Sequence, residues 1–523
     1  MAIRLFIDVK TFQRTVASAS SALARFLERE NLILSLDQGT TNSKAMLFSP
    51  SGLIEAESRK SLKQDYPASG WVEQDAEEIW TSVLRSARVA LGNSKSSPSC
   101  IAITNQRETT ILWDKKTLEP VSPAIVWQDR RSSKICEDLR NAGYADLVRQ
   151  STGLVIDPYF SATKIMWLLE KHPKIKRRAE AGEIRFGTVD TFLLARLTQG
   201  EIYATDVTNA SRTMLFDTIK LQWDDELLKL LKIPPQILPE VSPSSHLFGE
   251  AAAKYFGRKI PIAALIGDQQ ASLFGQAIFK PGIAKNTFGT GNFLLSLTGN
   301  QRFIDTNGSL LSTIAWGIDS RTEYALEGSV LSSGSSLKWL KDGLGITCSD
   351  IEIHEASTAL GKNDDVYFVP ALAGLGTPYW DPRARGLIIG ITGGTSRRHF
   401  VRAALEAICY QSRDVLDAFE AITGKNLDVL RVDGGGSSND LLMQFQADIT
   451  GKTVQRPRIT ETTAFGAAMI ACITMGFWKN IVDVEKVWRL GKEFKPKINL
   501  EGREALYNRW RDALSRSRSW ASA

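Results

Sequence analysis

A short apolar run that ends in Gly-Asp constrains the fold of this chain more than any other feature. Residues 261–266, PIAALI, are typical of a buried strand, and they lead through Gly267, Asp268, Gln269 and Gln270 into a helical stretch. A carboxylate at the end of a strand, above a crevice, is where α/β proteins place their chemistry. Asp268 is therefore a candidate catalytic residue. The alternative for Asp268 taken alone is a plain cap of the following helix.

Strand and helix patterns alternate along the whole chain. A strand-like run at residues 32–36 precedes Asp37, and an extended stretch at residues 44–48 ends in the turn signal 49–52, which together predict a β-hairpin. Residues 77–91 have helical periodicity. This alternation predicts the α/β class. A chain of 523 residues exceeds what one hydrophobic core holds, so we expect roughly two to four domains.

The second half of the chain contains a similar strand-to-turn segment. Residues 283–288 lead into Gly289, Thr290 and Gly291. Two similar α/β halves that face each other across a cleft would account for Gly-Thr turns in both. The sequence similarity between the halves is too weak to establish a duplication.

The Gly-Thr turns have the composition of phosphate-binding loops. Gly39 allows a tight turn whose N–H groups face an anion, Thr40 and Thr41 add hydroxyl donors, and Lys44 adds positive charge. Asp37 is placed to hold Mg²⁺, mostly through water. The alternative for this segment alone is an ordinary hairpin tip.

A glycine-rich segment, residues 433–439 (DGGGSSN), comes directly after an apolar strand-like run. It would let a planar ring approach the backbone, with Asn439 available for a hydrogen bond. The alternative is a flexible linker. The chain has neither a Walker motif nor a protein-kinase glycine loop with its catalytic loop. A bound nucleotide would therefore use a different cradle, for which this segment and the two Gly-Thr turns are the candidates.

Charge and composition exclude several classes of protein. The net charge of +6 is concentrated in residues 1–30 and 502–523, so the rest of the chain lacks the basic surface of a nucleic-acid-binding protein. No apolar run reaches the roughly 18 residues of a transmembrane helix, which argues against membrane insertion. The five cysteines are widely separated, and a reducing cytoplasm is the expected location.

Residues 1–30 differ in character from the rest of the chain and are predicted to be an N-terminal extension. The alternatives are a disordered arm, a start codon assigned too early and an amphipathic transit peptide.

Further segments carry a resemblance to a known family. They are residues 104–110 (TNQRETT), 125–129 (IVWQD), 157–161 (DPYFS), 205–213 (TDVTNASRT), 267–270 (GDQQ) and 378–382 (PYWDP). Two longer signatures lie around residues 159–171 and 386–410. With these segments in this order, residues 31–500 resemble the FGGY carbohydrate kinases. The phosphate-loop candidates resemble those of the wider actin–hexokinase superfamily.

The resemblance implies an α/β fold of two actin/hexokinase-like (ribonuclease H-like) domains that flank a nucleotide cleft. Residues 31–275 would form the N-terminal domain, which binds polyol and phosphate, and residues 276–523 the C-terminal domain, which binds the nucleotide. The implied activity is phosphorylation of glycerol, with ATP and Mg²⁺. Alternatives are a kinase of erythritol, xylulose or dihydroxyacetone, or a non-catalytic actin-fold binding protein. Family members are often homodimers or homotetramers, and we expect the same here by analogy.

The resemblance also implies roles for individual residues. Around the polyol it places Arg107, Glu108, Trp127, Tyr159, Asp268, Gln269 and Phe293, and on the nucleotide and its phosphates it places Thr40, Thr41, Asn42, Lys44, Thr290, Gly334, Gly435 and Asn439. Asp37 and Asp268 would hold Mg²⁺, and Asp268 would also act as general base. Lys44 stands where many members have arginine, so a bidentate grip on phosphate would be lost.

Overall fold

The computed structural model describes residues 31–94, 97–346 and 364–521 of the protein. Two large sheets with helices packed on them lie in the two halves of the chain, which confirms the predicted α/β class and two-domain fold. The predicted N-terminal extension, residues 1–30, lies outside the described residues. Within the described ranges, no helix is both long and apolar enough to cross a membrane.

The first sheet, over the described residues, has six strands: Ile33–Gln38 (β1), Asn42–Phe48 (β2), Ile54–Ser61 (β3), Cys100–Asn105 (β4), Glu250–Ala251 (β5) and Ile260–Gly267 (β6). Their order across the sheet is β3-β2-β1-β4-β6-β5. β1, β2 and β3 pair antiparallel, which confirms the predicted hairpin. β4 and β6 extend the sheet parallel to β1. These central strands read as continuous apolar runs because both faces of the sheet are covered.

The second sheet has seven strands within the described residues: Ile283–Phe288 (β7), Asn292–Gly299 (β8), Leu311–Ile318 (β9), Arg321–Val330 (β10), Val429–Asp433 (β11), Thr453–Pro457 (β12) and Leu490–Phe494 (β13). Their order is β9-β10-β8-β7-β11-β12-β13. β7, β8 and β10 pair antiparallel, and β11 and β12 continue the sheet parallel to β7.

The two sheets share one topology. β7, β8, β10, β11 and β12 take the positions of β1, β2, β3, β4 and β6, with the same parallel and antiparallel pairings. Each sheet also carries a strand antiparallel to the last of these, β5 or β13. The chain therefore contains the same α/β unit twice, and a Gly-Thr turn joins the first two strands of each unit.

The helices that frame the sheets and the space between them are Ala76–Asn93 (α1), Ser161–Lys171 (α2), Asp268–Gly275 (α3), Gly334–Leu344 (α4), Arg397–Thr423 (α5), Asp440–Thr450 (α6), Thr462–Thr474 (α7) and Leu500–Ser517 (α8). Other helices in the described part of the chain are Ser133–Asn141, Ala145–Thr152, Pro173–Glu180, Val189–Leu197, Val207–Ala210, Asp225–Leu230, Ala253–Phe256 and Val482–Val487. Two-stranded sheets pair Glu73–Gln74 with Ala124–Ile125, Ile111–Asp114 with Ile184–Gly187, Ala204–Asp206 with Glu240–Ser242, Phe216–Asp217 with Gln222–Trp223, and Tyr367–Val369 with Leu387–Ile389.

α3 and α7 cross in direct backbone contact at the junction of the two halves. A Cβ atom added at Gly466 would overlap the carbonyl oxygen of Ala271, and one added at Gly275 would overlap that of Thr462. Glycine is required at both positions because any side chain would push the helices apart. α7 lies late in the chain, yet it packs against β1, β4 and β6 of the first sheet. This crossing fixes the start of α3, and with it Asp268, between the two halves.

We predict that Gly466→Ala lowers the free energy of unfolding by about 1–3 kcal/mol, because the added methyl group overpacks the crossing. Gly92→Ala is the matched control, since Gly92 also lies in a helix, α1, and nothing lies within 4 Å of an added Cβ. The control should be neutral or stabilising by up to about 1 kcal/mol, as helix propensity favours alanine. Chemical denaturation measures both variants. Equal effects of the two substitutions would contradict this account of the packing.

Candidate active site

A cavity of about 150 Å³ lies between the two halves of the chain. Its lining is Thr40, Thr41, Arg107, Glu108, Trp127, Tyr159, Asp268 and Gln269 from the first half, and Thr290, Gly291 and Phe293 from the second. One water needs roughly 10–15 Å³ of such space, so the cavity suits a small molecule of roughly ten heavy atoms or fewer. All seven residues predicted to surround a polyol line this cavity.

Asp268 is the first residue of α3, directly after β6. The helix cap is Gly267, so the alternative interpretation of Asp268 as the capping residue is wrong. Oδ1 of Asp268 accepts a hydrogen bond from the N–H of Gln269 at 2.7 Å and lies 3.2 Å from Nε of Arg107. Burial raises the pKa of Asp268 above its ordinary value, and the positive charges of Arg107 and Lys285 oppose part of that rise.

Glu327, on β10 of the second half, joins two arginines of the first half. It accepts two hydrogen bonds from Arg107, at 2.5 and 3.0 Å, and a third from Nη2 of Arg212, at 2.9 Å. Nε of Arg212 in turn donates to Oε1 of Glu108, at 2.6 Å. All four side chains are at most 2% exposed. Two positive and two negative charges are therefore buried together and neutralise one another, which a single charge in this place could not do.

The pKa values in this network depend on the balance between burial and the charges of the neighbouring side chains. Burial by itself raises the pKa of Glu327, but the guanidiniums of Arg107 and Arg212 outweigh it and lower the pKa to about 2. For Glu108 burial is the larger effect, and its pKa is raised despite the two arginines. Burial lowers the pKa of Arg107, yet Glu327 and Glu108 more than compensate, so the pKa rises. Glu327 is therefore a permanent negative charge near neutral pH.

Aromatic rings form the apolar part of the cavity. The Trp127 ring lies 5.7 Å from the ring of Tyr159 and 5.7 Å from that of Phe293, both in edge-to-face geometry. The indole N–H of Trp127 donates to Oγ1 of Thr40 at 2.9 Å. Because Phe293 lies on β8 while the other residues belong to the first half, the apolar wall is assembled from both halves.

The first Gly-Thr turn brings Thr40 and Thr41 to the cavity but not Asn42. The N–H of Gly39 donates to the carbonyl oxygen of Asn42 at 2.9 Å, which closes the turn between β1 and β2. Nε2 of Gln74 supports the turn by donating to the carbonyl oxygen of Thr40 at 2.7 Å. Nδ2 of Asn42 donates to Oγ1 of Thr41 at 2.9 Å, so the Asn42 side chain braces the turn from outside the cavity.

Asp37 and Lys44 lie behind this turn, next to the start of α7. Lys44 forms an ion pair with Glu461 and does not line the cavity. Asp37 is 7% exposed, and burial raises its pKa to about 6. Lys44 opposes that rise, whereas the carboxylates of Glu461 and Asp268 add to it. A cation would relieve this crowding of negative charge.

The donor set fits Mg²⁺ better than a transition metal. Asp37 and Asp268 are hard oxygen donors that influence each other electrostatically. Among the described residues, no group of three or more His, Cys, Asp or Glu side chains could hold a metal ion. Mg²⁺ commonly uses one or two carboxylates and completes its octahedron with water and substrate phosphates.

The second Gly-Thr turn meets α4. The N–H of Gly334 donates to the carbonyl oxygen of Gly289 at 3.0 Å, and the N–H of Ser335 donates to that of Thr290 at 3.1 Å. A Cβ added at Gly334 would lie 2.7 Å from the carbonyl oxygen of Gly289. Glycine thus permits the close approach of α4 to the turn, and Gly334 and Thr290 are brought together.

The glycine-rich segment 433–439 is ordered structure, so the alternative of a flexible linker is wrong. Gly434 has φ +79°, and a Cβ there would lie 2.6 Å from the carbonyl oxygen of Phe288. Gly435–Ser438 form a 3₁₀ turn, and Asn439 caps α6 by accepting from the N–H groups of two following residues at 3.0 Å each. This turn therefore lies against Phe288 at the end of β7, and Gly435 and Asn439 are not among the residues that line the polyol cavity.

Two family models match the sequence. One is described as the FGGY family of carbohydrate kinases, N-terminal domain, and matches residues 32–275. The other is the C-terminal domain of the same family and matches residues 284–475. The chain belongs to the FGGY family of carbohydrate kinases.

Several FGGY kinases are similar over nearly the full length. Glycerol kinase 2 of Thermotoga maritima is 52% identical over 491 residues, which are 93% of this chain and 99% of that protein. The glycerol kinase of Bacillus subtilis is 50% identical over 489 residues, 93% of this chain and 98% of that protein. The crystal structure of Plasmodium falciparum glycerol kinase with ADP superposes with a TM-score of 0.85 at 35% identity, covering 93% of this chain and 98% of that one.

Sequence reasoning missed three charged residues of this FGGY site. Glu327 and Arg212 complete the buried network, and Lys285 donates to Oε1 of Gln269 at 2.5 Å. Glu327, an acidic residue within the buried part of β10 (residues 325–330, ALEGSV), was a usable signal, because a buried charge requires a partner. No sequence signal identified which arginines those partners are.

We predict that Glu327→Gln lowers the free energy of unfolding by about 3–5 kcal/mol, because two buried guanidiniums then lose their shared negative charge. Glu323→Gln, on the same strand but partly exposed, is the control and should change stability by less than about 0.5 kcal/mol. The pKa of Glu327 is lowered from its ordinary value of 4.5 to about 2 in the folded protein. Its charge therefore stabilises the fold at pH values above 4.5, and this contribution is lost as the pH falls through about 2. The deficit of the variant, measured by denaturation, should shrink over this range. A deficit independent of pH would show that shape, not charge, is responsible.

Proposed function

We propose that the protein transfers the γ-phosphoryl group of ATP to a terminal hydroxyl of glycerol and forms sn-glycerol 3-phosphate. The observation that carries the proposal is the small cavity in which Asp268, Arg107 and Glu108 share the lining with an aromatic wall. Similarity to glycerol kinases over nearly the whole chain supports the same reaction.

The lining of the cavity complements a short polyol. Each hydroxyl of glycerol is both donor and acceptor, so carboxylates can take its protons while a guanidinium and an amide donate to its oxygens. Asp268 and Glu108 supply the acceptors, and Arg107 and Gln269 the donors. Trp127 and Phe293 cover the carbon chain and exclude water, which favours transfer to the polyol over hydrolysis of ATP.

Asp268 is the proposed general base. Its carboxylate accepts the proton of the terminal hydroxyl as that oxygen attacks the γ-phosphorus in line. Nε of Arg107 at 3.2 Å and the N–H of Gln269 at 2.7 Å hold the carboxylate in one orientation. Burial raises its pKa, which strengthens it as a base. Base assistance contributes roughly 10²–10⁴-fold, and positioning and charge neutralisation supply the larger part.

The nucleotide is proposed to span the space between the two Gly-Thr turns. Thr40, Thr41 and Thr290 would meet its phosphates, and Gly334, Gly435 and Asn439 the adenosine. Asp37 and Asp268 would hold Mg²⁺, which neutralises charge on the phosphates when bound. Asn42 is proposed to act by bracing the turn. Lys44 can add its charge near the phosphates, but a direct contact requires it to release Glu461.

The division of the chain is proposed at residue 275, the end of α3, with polyol and phosphate binding in residues 31–275 and nucleotide binding in residues 276–523. Closure of the two halves would complete the cavity and expel water. A cytoplasmic location and a homodimeric or homotetrameric assembly are proposed by analogy with the family.

Two other functions make different demands on this site. A kinase of erythritol, xylulose or dihydroxyacetone would keep the same mechanism, and the similarity to glycerol kinases over nearly the whole chain favours glycerol over these substrates. A non-catalytic binding protein has no need for two crowded carboxylates, and Asp37 with its pKa raised to about 6 is costly to keep without a cation.

The test of the proposed function is ADP release from Mg-ATP with glycerol, dihydroxyacetone, erythritol, xylulose, ribulose and gluconate. We expect a strong preference for glycerol. Preference for a longer polyol would keep the mechanism and overturn the substrate assignment. Binding of ATP without turnover of any of these substrates would instead favour the non-catalytic alternative.

We predict that Asp268→Asn reduces kcat by roughly 10²–10⁴-fold or more, because the amide cannot accept the hydroxyl proton. ATP binding, measured by calorimetry, should persist. Asp342→Asn, at an exposed position on α4, is the control and should keep normal turnover. Near-normal kcat in the Asp268 variant would remove this residue as the base.

A further inference from the structure

The first turn of α2 contains a fully buried lysine that the proposed reaction does not use. Lys164 is 0% exposed. Its Nζ donates to the carbonyl oxygens of Pro158, Tyr159 and Phe160, at 3.0, 2.5 and 3.1 Å. A lysine ammonium has three N–H donors, so all three are used on three consecutive residues.

Those three carbonyls belong to the segment that carries Tyr159 into the cavity. The Tyr159 ring lies 5.7 Å from the Trp127 ring, and its hydroxyl lies 3.4 Å from Nη2 of Arg107. The same helix turn also holds Glu108 of the cavity lining, since Oγ of Ser161 donates to the carbonyl oxygen of Glu108 at 3.1 Å. Glu108 has φ +60°, a conformation that L-residues adopt only when their surroundings enforce it.

A plain packing role does not explain a charged group at this position. Burial of an ammonium is costly, and an apolar side chain would fill the space at lower cost.

The charged and titratable groups that face Lys164 are Glu108, Asp129, Asp157 and Cys136. The three carboxylates are bonded to arginines: Glu108 to Arg212 at 2.6 Å, Asp129 to Arg131 at 2.8 Å and Asp157 to Arg130 at 2.6 Å. The direct partners of Lys164 are thus neutral carbonyls, which its charge orients.

We propose that Lys164 is a positioning residue that sets the affinity for the polyol by holding Tyr159 in place. The ammonium fixes three successive peptide units, and these fix the direction in which the Tyr159 side chain leaves the backbone. Lys164 does not line the cavity, so any effect it has on the substrate is exerted through Tyr159. The inference rests on the proposed function, because it assumes that the polyol occupies this cavity.

The test compares Lys164→Met, which keeps the length and removes the donors, with Lys164→Arg, which keeps the charge. Lys171→Met, an exposed lysine at the end of the same helix, is the control. Lys164→Met should raise the KM for glycerol by roughly ten- to a hundredfold, because a displacement of about 1 Å is enough for such losses. The KM for ATP should stay unchanged, Lys164→Arg should recover part of the glycerol affinity, and the control should behave as wild type.

The pH dependence of the KM for glycerol, compared between the wild type and Lys164→Met, gives a second measurement. Burial lowers the pKa of Lys164 to about 8, against the neighbouring acidic groups. Above that pH the neutral amine has only two donors, so the KM for glycerol should rise as the pH passes about 8, while that for ATP does not. Lys164→Met should lack this rise.

Three results would overturn the proposal: an unchanged KM for glycerol in Lys164→Met, an equal rise in the KM for ATP, or a glycerol KM that stays flat across this pH range in the wild type. A lower melting temperature with unchanged KM would assign Lys164 to stability alone. If Lys164→Met does not fold, Lys164→Arg decides, and wild-type KM values for glycerol and ATP in that variant would overturn the proposal. Failure of the wild type to bind or turn over glycerol would instead refute the proposed function.

Discussion

The backbone contact between α3 and α7 determines how the two halves of this kinase lie against each other. Two helices approach this closely only where both lack a side chain, and Gly275 and Gly466 meet that condition. α7 belongs to the later half by sequence, yet it shares one buried apolar cluster with strands of the first sheet. The halves are therefore joined by a dry, packed contact, and Asp268 at the start of α3 has a fixed position relative to both.

Buried charge supplies the second connection between the halves. Arg107 lines the cavity on one side and is bonded to Glu327 of the second half on the other. Because a buried charge is tolerated only with its partner, the pair specifies one arrangement of the halves around the cavity. The helix contact at Gly275 thus acts at the C-terminal end of α3. The Arg107–Glu327 pair acts beside the N-terminal end of α3, where Nε of Arg107 lies 3.2 Å from Asp268.

Both halves use the same sheet edge, but for different purposes. In the first unit, β4 ends just before Arg107 and Glu108, which line the polyol cavity. In the second unit, the equivalent strand β11 ends at Asp433 and the glycine-rich turn proposed for the nucleotide. The carboxyl ends of parallel strands meet at one edge in either case, so one topology supplies two binding surfaces. The fold therefore provides the positions, and the residues at them decide the chemistry.

Much of the local structure was predictable from the sequence, because it depends on neighbours within a few positions. Apolar runs and turn residues predicted the β1–β2 hairpin and the strand before Asp268, and glycine with threonine predicted both turns. The predicted polyol residues all line one cavity. Local patterns left alternatives open where several structures are compatible with one pattern: the structure shows that Asp268 comes after the helix cap and that segment 433–439 is an ordered turn and not a linker.

The sequence by itself thus determined the elements, the turns and the chemical character of the site. Only the tertiary structure decided which charges meet. Glu327 and Arg107 are separated by 220 positions, and Lys44 and Glu461 by 417, so no local pattern relates them. The same holds for Lys164, because nothing in the surrounding sequence distinguishes a buried ammonium bound to three carbonyls from an exposed one. Electrostatic pairing depends on distance in space and on exclusion of water, and both are fixed only when the two halves pack together.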